Sequence, residues 1–496
     1  MLLLGLALAD DCETVVVPRD GCITPALMAL REAGCDVQLR ALGLTLTVER
    51  PPPPPPAPDK QTRDAYGVPN SLESENFVLR WGSGVSTTVA QDVLDAFEEG
   101  WQTQITEMDY PGPYGTDGFK FNVYVGDTGG NTPDSFGNAG YFFEDPDGWP
   151  MIVLSETTVQ NIDDYGKTTT VHEFFHAVQD ITDAPYGYGS GVPGSWYYEA
   201  TASWIEVEVF PDEESYADCL FGFSFFPHLS VNYFDYPDGS AGLEEYHQYG
   251  AFIFIRYLAE HVGGWEIIRL SWIEADHEDP LEVLDGILRQ DFDTVLRNAF
   301  FDFASRNVAW DYEDGDLYAE VHEQYADGYP NDDQRIAASH TVSTDGWVDA
   351  PEETLPWRLG TNYIRLFPQD QGPDLHVQFE GDPTGEWASN AAWNVQAVLL
   401  REGEDAEYWE IELDDRAADA WIENSASADE VWLVVSVSTG EEIPGEQFAY
   451  RYALEPGETD TDNGENTATV CACTTTRPLT GWVLLLTGAV LLGRRR

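Results

Sequence analysis

Thr170-Val171-His172-Glu173-Phe174-Phe175-His176-Ala177-Val178 is the stretch on which the reading of this chain turns. Val171, Phe174, Phe175 and Val178 recur at i, i+3, i+4 and i+7, the apolar stripe of a packed helix. On that helix His172 and His176 stand one turn apart on a shared face, so both imidazoles reach one metal ion. Glu173 lies beside them, where a carboxylate can take a proton from water activated by the metal. A competing reading is local. Thr170-Val171-His172-Glu173 also fits a capping box, in which Glu173 only satisfies backbone donors at a helix start.

Working outward, 496 residues hold two or three domains, and the 43% hydrophobic and 13% aromatic shares fit a globular chain. Against 89 acidic residues stand 24 basic ones, a formal charge of −65, and three of the basic residues are lysines. Such a surface repels phosphate backbones and excludes nucleic acid as a partner. It suits a solvated exterior in salty or calcium-containing surroundings. Of the six cysteines, Cys12, Cys22 and Cys35 cluster early, Cys219 stands alone, and Cys471 and Cys473 lie near the end. None has zinc-site spacing with the histidines, so none is assigned to the metal. Export would permit one N-terminal disulfide, with partners the spacing does not specify.

Residues 1–9 form a short apolar run ending Ala7-Leu8-Ala9, expected to be the remnant of a signal peptide. Residues 10–50 form a small cysteine-bearing segment in which no chemistry is visible. Six prolines from Pro51 to Pro56 open a stiff linker over residues 51–70. Residues 71–340 are expected to form one α+β domain. A strand at 77–81 precedes a long helix through Val89, Val93, Phe97, Trp101 and Ile105, and strands follow at 119–125, 141–143 and 151–154. After His176 come a second helix from Trp196, a buried helix over 249–261 ending at Gly263-Gly264, and helices around 281–288 and 292–308. Short alternating strands over 341–456 point to a β-sandwich with no catalytic cluster. An acidic linker at 457–470 leads to the segment 471–496, where cysteines, an apolar run of about 14 residues and terminal arginines follow in order. That run is short of the roughly 20 residues a bilayer requires.

Two histidines leave a zinc site one ligand short, because catalytic zinc takes three protein ligands and one open position. Glu199, carried by Trp196-Tyr197-Tyr198-Glu199-Ala200-Thr201-Ala202-Ser203-Trp204, is the leading third ligand. Glu206 and Glu208, about two turns further on, are alternatives, set among Ile205, Val207 and Val209 as on a solvated helix edge. Ser203 is a candidate hydrogen-bond partner for a ligating histidine.

His-Glu-Phe-Phe-His followed by Trp-Tyr-Tyr-Glu-Ala-Thr-Ala-Ser resembles the gluzincins, the thermolysin-like and aminopeptidase-N-like metallopeptidases. The resemblance implies a zincin-like catalytic domain, Zn²⁺ held by His172, His176 and Glu199, and Glu173 as general base. Ala200 stands where the aminopeptidase group has glycine, and no exopeptidase motif is present, so the implied activity is endoproteolytic. The likeness runs over about residues 70–310 and is closer to an uncharacterised group of secreted metalloproteases. The oxyanion donor of the aminopeptidase group is a tyrosine three positions before a glycine. Here that position holds His247, so Tyr246, His247 and Tyr249 all stay open. The C-terminal segment resembles myxobacterial sorting signals, which implies display at the cell surface and membrane contact only before processing.

The expectation is therefore an α+β chain, a zincin-like domain followed by an all-β sandwich, acting as an exported zinc-dependent endopeptidase on protein or peptide substrates. The rival is a surface adhesion protein whose zincin-like domain is catalytically silent.

Overall fold

A computed structural model describes Cys12 and residues 22–46, 50–189, 191–235, 242–326, 333–340, 343–344, 346–367, 372–385, 390–440, 446–457 and 469–470. The proposed signal remnant at 1–9, most of the acidic linker and the sorting segment at 471–496 lie outside the described residues. The fold is α+β with a strand-rich C-terminal part. Among the described residues, no helix is long and apolar enough to cross a membrane.

The N-terminal body is built on five strands: β1 (Asn70–Glu73), β2 (Phe77–Trp81), β3 (Phe121–Val125), β4 (Gly140–Glu144) and β5 (Pro150–Leu154), in the order β1-β2-β3-β5-β4. β2, β3 and β5 run parallel, and β4 pairs antiparallel with β5 as the edge. Every residue of β2 to β5 is buried, because both sheet faces are covered. One face carries α2 (Thr87–Trp101), opened by Ser86 accepting from the Val89 amide, and α3 (Lys167–Thr182), which bears both histidines. Phe174 of α3 packs on Phe77 and Phe121 of that face, with centroids 5.1 and 6.1 Å away. On the opposite face Tyr66 meets Tyr124 edge-on at 5.0 Å, and Arg80 donates to the Arg63 carbonyl.

Residues 51–61 are extended as their prolines dictate, but they are strapped down rather than a free linker. The Tyr114 hydroxyl donates to the Pro51 carbonyl at 2.6 Å, Ala57 and Gln61 amides donate to Asp117 and Gly118, and Lys120 returns a bond to Gln61. Upstream, α1 (Thr24–Glu32) lies along β4 with Ile23, Leu27 and Leu30 buried, so residues 22–46 are part of the packed body. Cys12 and Cys35 form its disulfide.

α4 (Ser195–Val209) crosses α3, and the small buried Ala200 and Ala202 permit the close approach. The buried helix expected at 249–261 is broken into His247–Gly250, Phe252–Tyr257 and a π turn, Leu258–Gly263. Gly264, at φ +78°, ends it.

The β domain begins earlier than residue 341, because β6 (Ile336–His340) already pairs with β8 (Gly360–Leu366). The remaining strands are β7 (Val348–Asp349), β9 (Asp374–Gly381), β10 (Ala391–Leu400), β11 (Glu407–Ile411), β12 (Ala417–Ile422), β13 (Glu430–Thr439), β14 (Tyr450–Gly457) and β15 (Thr469–Val470). They form sheets ordered β15-β11-β10-β13-β8-β6 and β12-β9-β14-β7, which share one apolar core. The larger sheet rests on the helix Leu296–Ala309, where Tyr363 donates to the Ala304 carbonyl at 2.8 Å.

Candidate metal centre

α3 begins at Lys167, and the Thr170 hydroxyl is spent on the Gly166 carbonyl at 2.7 Å. Glu173 therefore lies well inside the helix, and the capping-box alternative does not hold. One turn of α3 presents His172 and His176, with ring centroids 5.0 Å apart. α4 presents Glu199 between them. Its Oε2 lies 3.3 Å from His172 Nε2, and its Oε1 lies 3.3 Å from His176 Nε2. Glu199 is held there by its predecessors: Tyr197 bonds Ser271 at 2.6 Å, Tyr198 donates to the Tyr186 carbonyl at 2.8 Å, and Trp196 is fully buried.

The proton positions follow from the bonds around the cluster. The Thr201 hydroxyl donates to the Tyr197 carbonyl at 2.7 Å, so it accepts from Gln179 Nε2 at 3.0 Å. The same amide nitrogen donates to the Tyr198 carbonyl at 2.9 Å. Gln179 must then turn its oxygen to His176 Nδ1, 2.7 Å away, which makes Nδ1 the protonated nitrogen. Glu206 Oε1 does the same for His172 Nδ1 at 2.8 Å. In the neutral tautomer both Nε2 lone pairs thus point inward at the Glu199 carboxylate. Acceptors facing acceptors require a cation or extra protons between them.

The titration behaviour states the same demand. Burial alone would lower His176, yet Cys22 and Glu199 overturn it and push the imidazole up to about 10. Burial likewise opposes a charged His172, but Cys22, Glu199 and Glu206 raise it well above its usual value. Burial would raise Glu199, yet His176 and His172 bring it down to about 2. The buried group Cys22, His172, His176 and Glu199 offers donor atoms all within 4.8 Å of one another, and it can hold a metal ion.

Three assignments change. Cys22, which its spacing left unassigned, is in the cluster, with Sγ 3.4 Å from His176 Nε2. Glu206 is not on a solvated edge; it orients His172. Glu208 instead pairs with Arg256 at 2.9 Å. Ser203 is not the histidines' outer partner, because Glu206 and Gln179 hold both Nδ1 atoms. Gln179 was open to discovery from its position three residues after His176, the next place on the same helix face. Glu206 was open to it from its seven-residue spacing from Glu199, which returns to one face after two turns. Cys22 carries no such signal, since its approach depends on tertiary packing across 154 residues.

Glu173 is fully buried, and burial pushes its carboxyl up, opposed by His176 and His172. A side chain at Gly140, the first residue of β4, would come within 2.9 Å of Glu173 Cγ, so glycine is what lets the edge strand approach. Of the three oxyanion candidates, Tyr249 faces the site. Its ring is 6.3 Å from His172, and its hydroxyl donates to the Cys22 carbonyl at 3.3 Å. His247 is packed between Phe223 and Tyr233, where burial and then His228 lower it to about 3. Tyr246 packs on Phe221 at 5.3 Å.

The profile of a family of unknown function, DUF6055, matches residues 56–459. That stretch contains His172, Glu173, His176 and Glu199, and Cys22 lies before it. No curated protein matches the sequence.

Proposed function

The chain belongs to the DUF6055 family, and we propose that it is an exported, zinc-dependent endopeptidase of gluzincin type. The observation that carries this reading is the inward convergence of two Nε2 lone pairs and one buried carboxylate, each imidazole fixed by an outer acceptor. Imidazole and carboxylate donors in this number suit zinc. His172, His176 and Glu199 would hold it. When bound, the ion supplies a Lewis acid for the scissile carbonyl and acidifies water.

The chain's own groups do the rest. Glu173, desolvated and beside the histidines, takes the proton of the attacking water and returns it to the leaving amine. Tyr249 donates its hydroxyl to the carbonyl oxygen as charge develops there. Once residues 22–46 are displaced from it, the edge of β4 would offer backbone groups to an extended peptide. The −65 charge disfavours anionic partners, in keeping with a protein or peptide substrate.

Purified protein is expected to carry about one zinc per chain, and a chelator is expected to remove hydrolysis of a mixed peptide library. Glu173→Gln should retain the zinc while turnover falls by roughly 10² or more. Metal-free protein with full activity, or Glu173→Gln with undiminished turnover, would overturn the assignment.

A further inference from the structure

The N-terminal segment sits on the groups just assigned to catalysis. Its contacts come from Cys22 and Thr24. Cys22 places its thiol 3.4 Å from His176 Nε2, where it would be a fourth donor beside the three assigned ligands. The Cys22 carbonyl takes the Tyr249 hydroxyl, where the reading above puts a substrate carbonyl. The Thr24 hydroxyl donates to Glu173 Oε2 at 3.2 Å, which engages the general base. The same hydroxyl accepts the Phe142 amide at 2.9 Å, so the β4 edge is engaged as well.

The packing makes this a firm cover. Ile23 and Leu27 are wholly buried and Leu30 is 1% exposed. At the rim Arg31 pairs with Glu144 at 2.6 Å, and Glu32 accepts the Tyr188 amide at 3.2 Å. Cys22 is a free thiol flanked by the Cys12–Cys35 disulfide, so its sulfur remains available as a ligand.

We infer that the segment 22–46 is a built-in inhibitory cover, and that the Cys22 thiolate is the fourth protein donor to the metal. This rests on the metal reading above. On ligation the thiol S–H bond breaks, the proton leaves to solvent, and the sulfur–metal bond forms. Release reverses this, with the sulfur taking up a proton. While the bond stands, no water can be activated at that position and no peptide can reach the β4 edge.

The test is cobalt substitution of the full chain, which reads ligation by spectrum and not by activity. Parent protein should show the visible bands of a low-symmetry Co²⁺ site together with a near-ultraviolet sulfur-to-metal charge-transfer band. Cys22→Ser should keep the visible bands and lose the charge-transfer band. It should also hydrolyse a peptide library far faster than the intact parent, whose residual turnover comes from the fraction of chains with the cover released. Iodoacetamide should label Cys22, located by peptide mapping, only after the metal is chelated. Identical parent and Cys22→Ser spectra would remove Cys22 from the site while leaving the metal reading intact. Visible bands in neither protein would defeat both. An intact parent as active as Cys22→Ser would overturn the inhibitory role.

Discussion

Glu206 and Gln179 act on the metal site without touching the ion. Each holds an imidazole Nδ1 proton, and so fixes the ring angle and the basicity of the nitrogen that faces inward. Glu206→Ala and Gln179→Leu should each weaken metal affinity by roughly 10- to 100-fold. Glu208→Ala, which loses a contact with Arg256 and none with the histidines, should leave affinity unchanged. Titration against a competing chelator ranks the three, and equal affinity for Glu206→Ala and the parent would make Glu206 a bystander. The two histidines and Glu199 were legible in the sequence because helix periodicity and a short-range motif specify them. Glu206 was read as solvated because the Ile205, Val207 and Val209 alternation looked like an edge. In fact α4 is wrapped on nearly all sides, with Ile205 and Val207 buried, so alternation carried no information about which face was wet.

At the level of elements, the approach of β4 to α3 depends on Gly140. A methyl group there meets Glu173 Cγ at 2.9 Å and Leu154 Cδ2 at 3.0 Å, with rigid packing behind both. Gly140→Ala is expected to cost about 1–3 kcal/mol of stability through overpacking. It should depress turnover more than metal content, because the displaced atom belongs to the base and not to a ligand. Metal analysis beside kinetics separates the two. A second element-level device joins the helical part to the sandwich. Asp333 accepts from both Arg335 and His322. Burial would raise its carboxyl, but Arg335 and His322 hold it well below the usual value. A depressed folded-state value means the stabilisation is present above the unfolded-state value, roughly 3.9, and disappears as pH falls toward the folded one. Asp333→Asn should therefore lower the thermal midpoint at neutral pH, and this loss should shrink as the pH is taken below about 3.9. A loss as large in acid as at neutrality would exclude the ion pair as its source.

Across the whole molecule, the α+β class and the strand-rich C-terminal part were readable because they follow from local period and turn spacing. β1, β6, β7, β12 and β15 were missed. All five lie at sheet edges, and β7 and β15 have only two residues each, so hydrophobic alternation there is weak. The packing of residues 22–46 over the site was invisible, because a covering segment looks locally like any short amphipathic helix. The −65 charge has its own consequence. Self-repulsion works against the compact state and is relieved by screening. The thermal midpoint should rise as sodium chloride goes from roughly 0.01 M to about 1 M, over which the Debye length falls from about 30 Å to about 3 Å. A midpoint independent of salt would mean the acidic groups are already paired or dispersed enough not to interact.

The proline strap decides how tightly such a cover acts once the chain is cut. Residues 51–61 are bonded to 114–120, and Arg50 pairs with Asp180 at 2.6 Å, so only a few residues separate the covering segment from a fixed anchor. A short tether of this kind keeps its segment at an effective concentration on the order of millimolar. Hydrolysis of one peptide bond at 47–49 turns that intramolecular partner into a bimolecular one. Nicked protein should then keep a low turnover when concentrated and gain activity on dilution, with a half-point that reports the segment's own affinity. A nick at 62–69 leaves the strap on the departing piece, with its additional bonds to 114–120, so its half-point should fall at lower concentration. Dilution series on the two nicked forms give the order. A reversed order would mean that the strap belongs to the body and adds nothing to the grip of the cover.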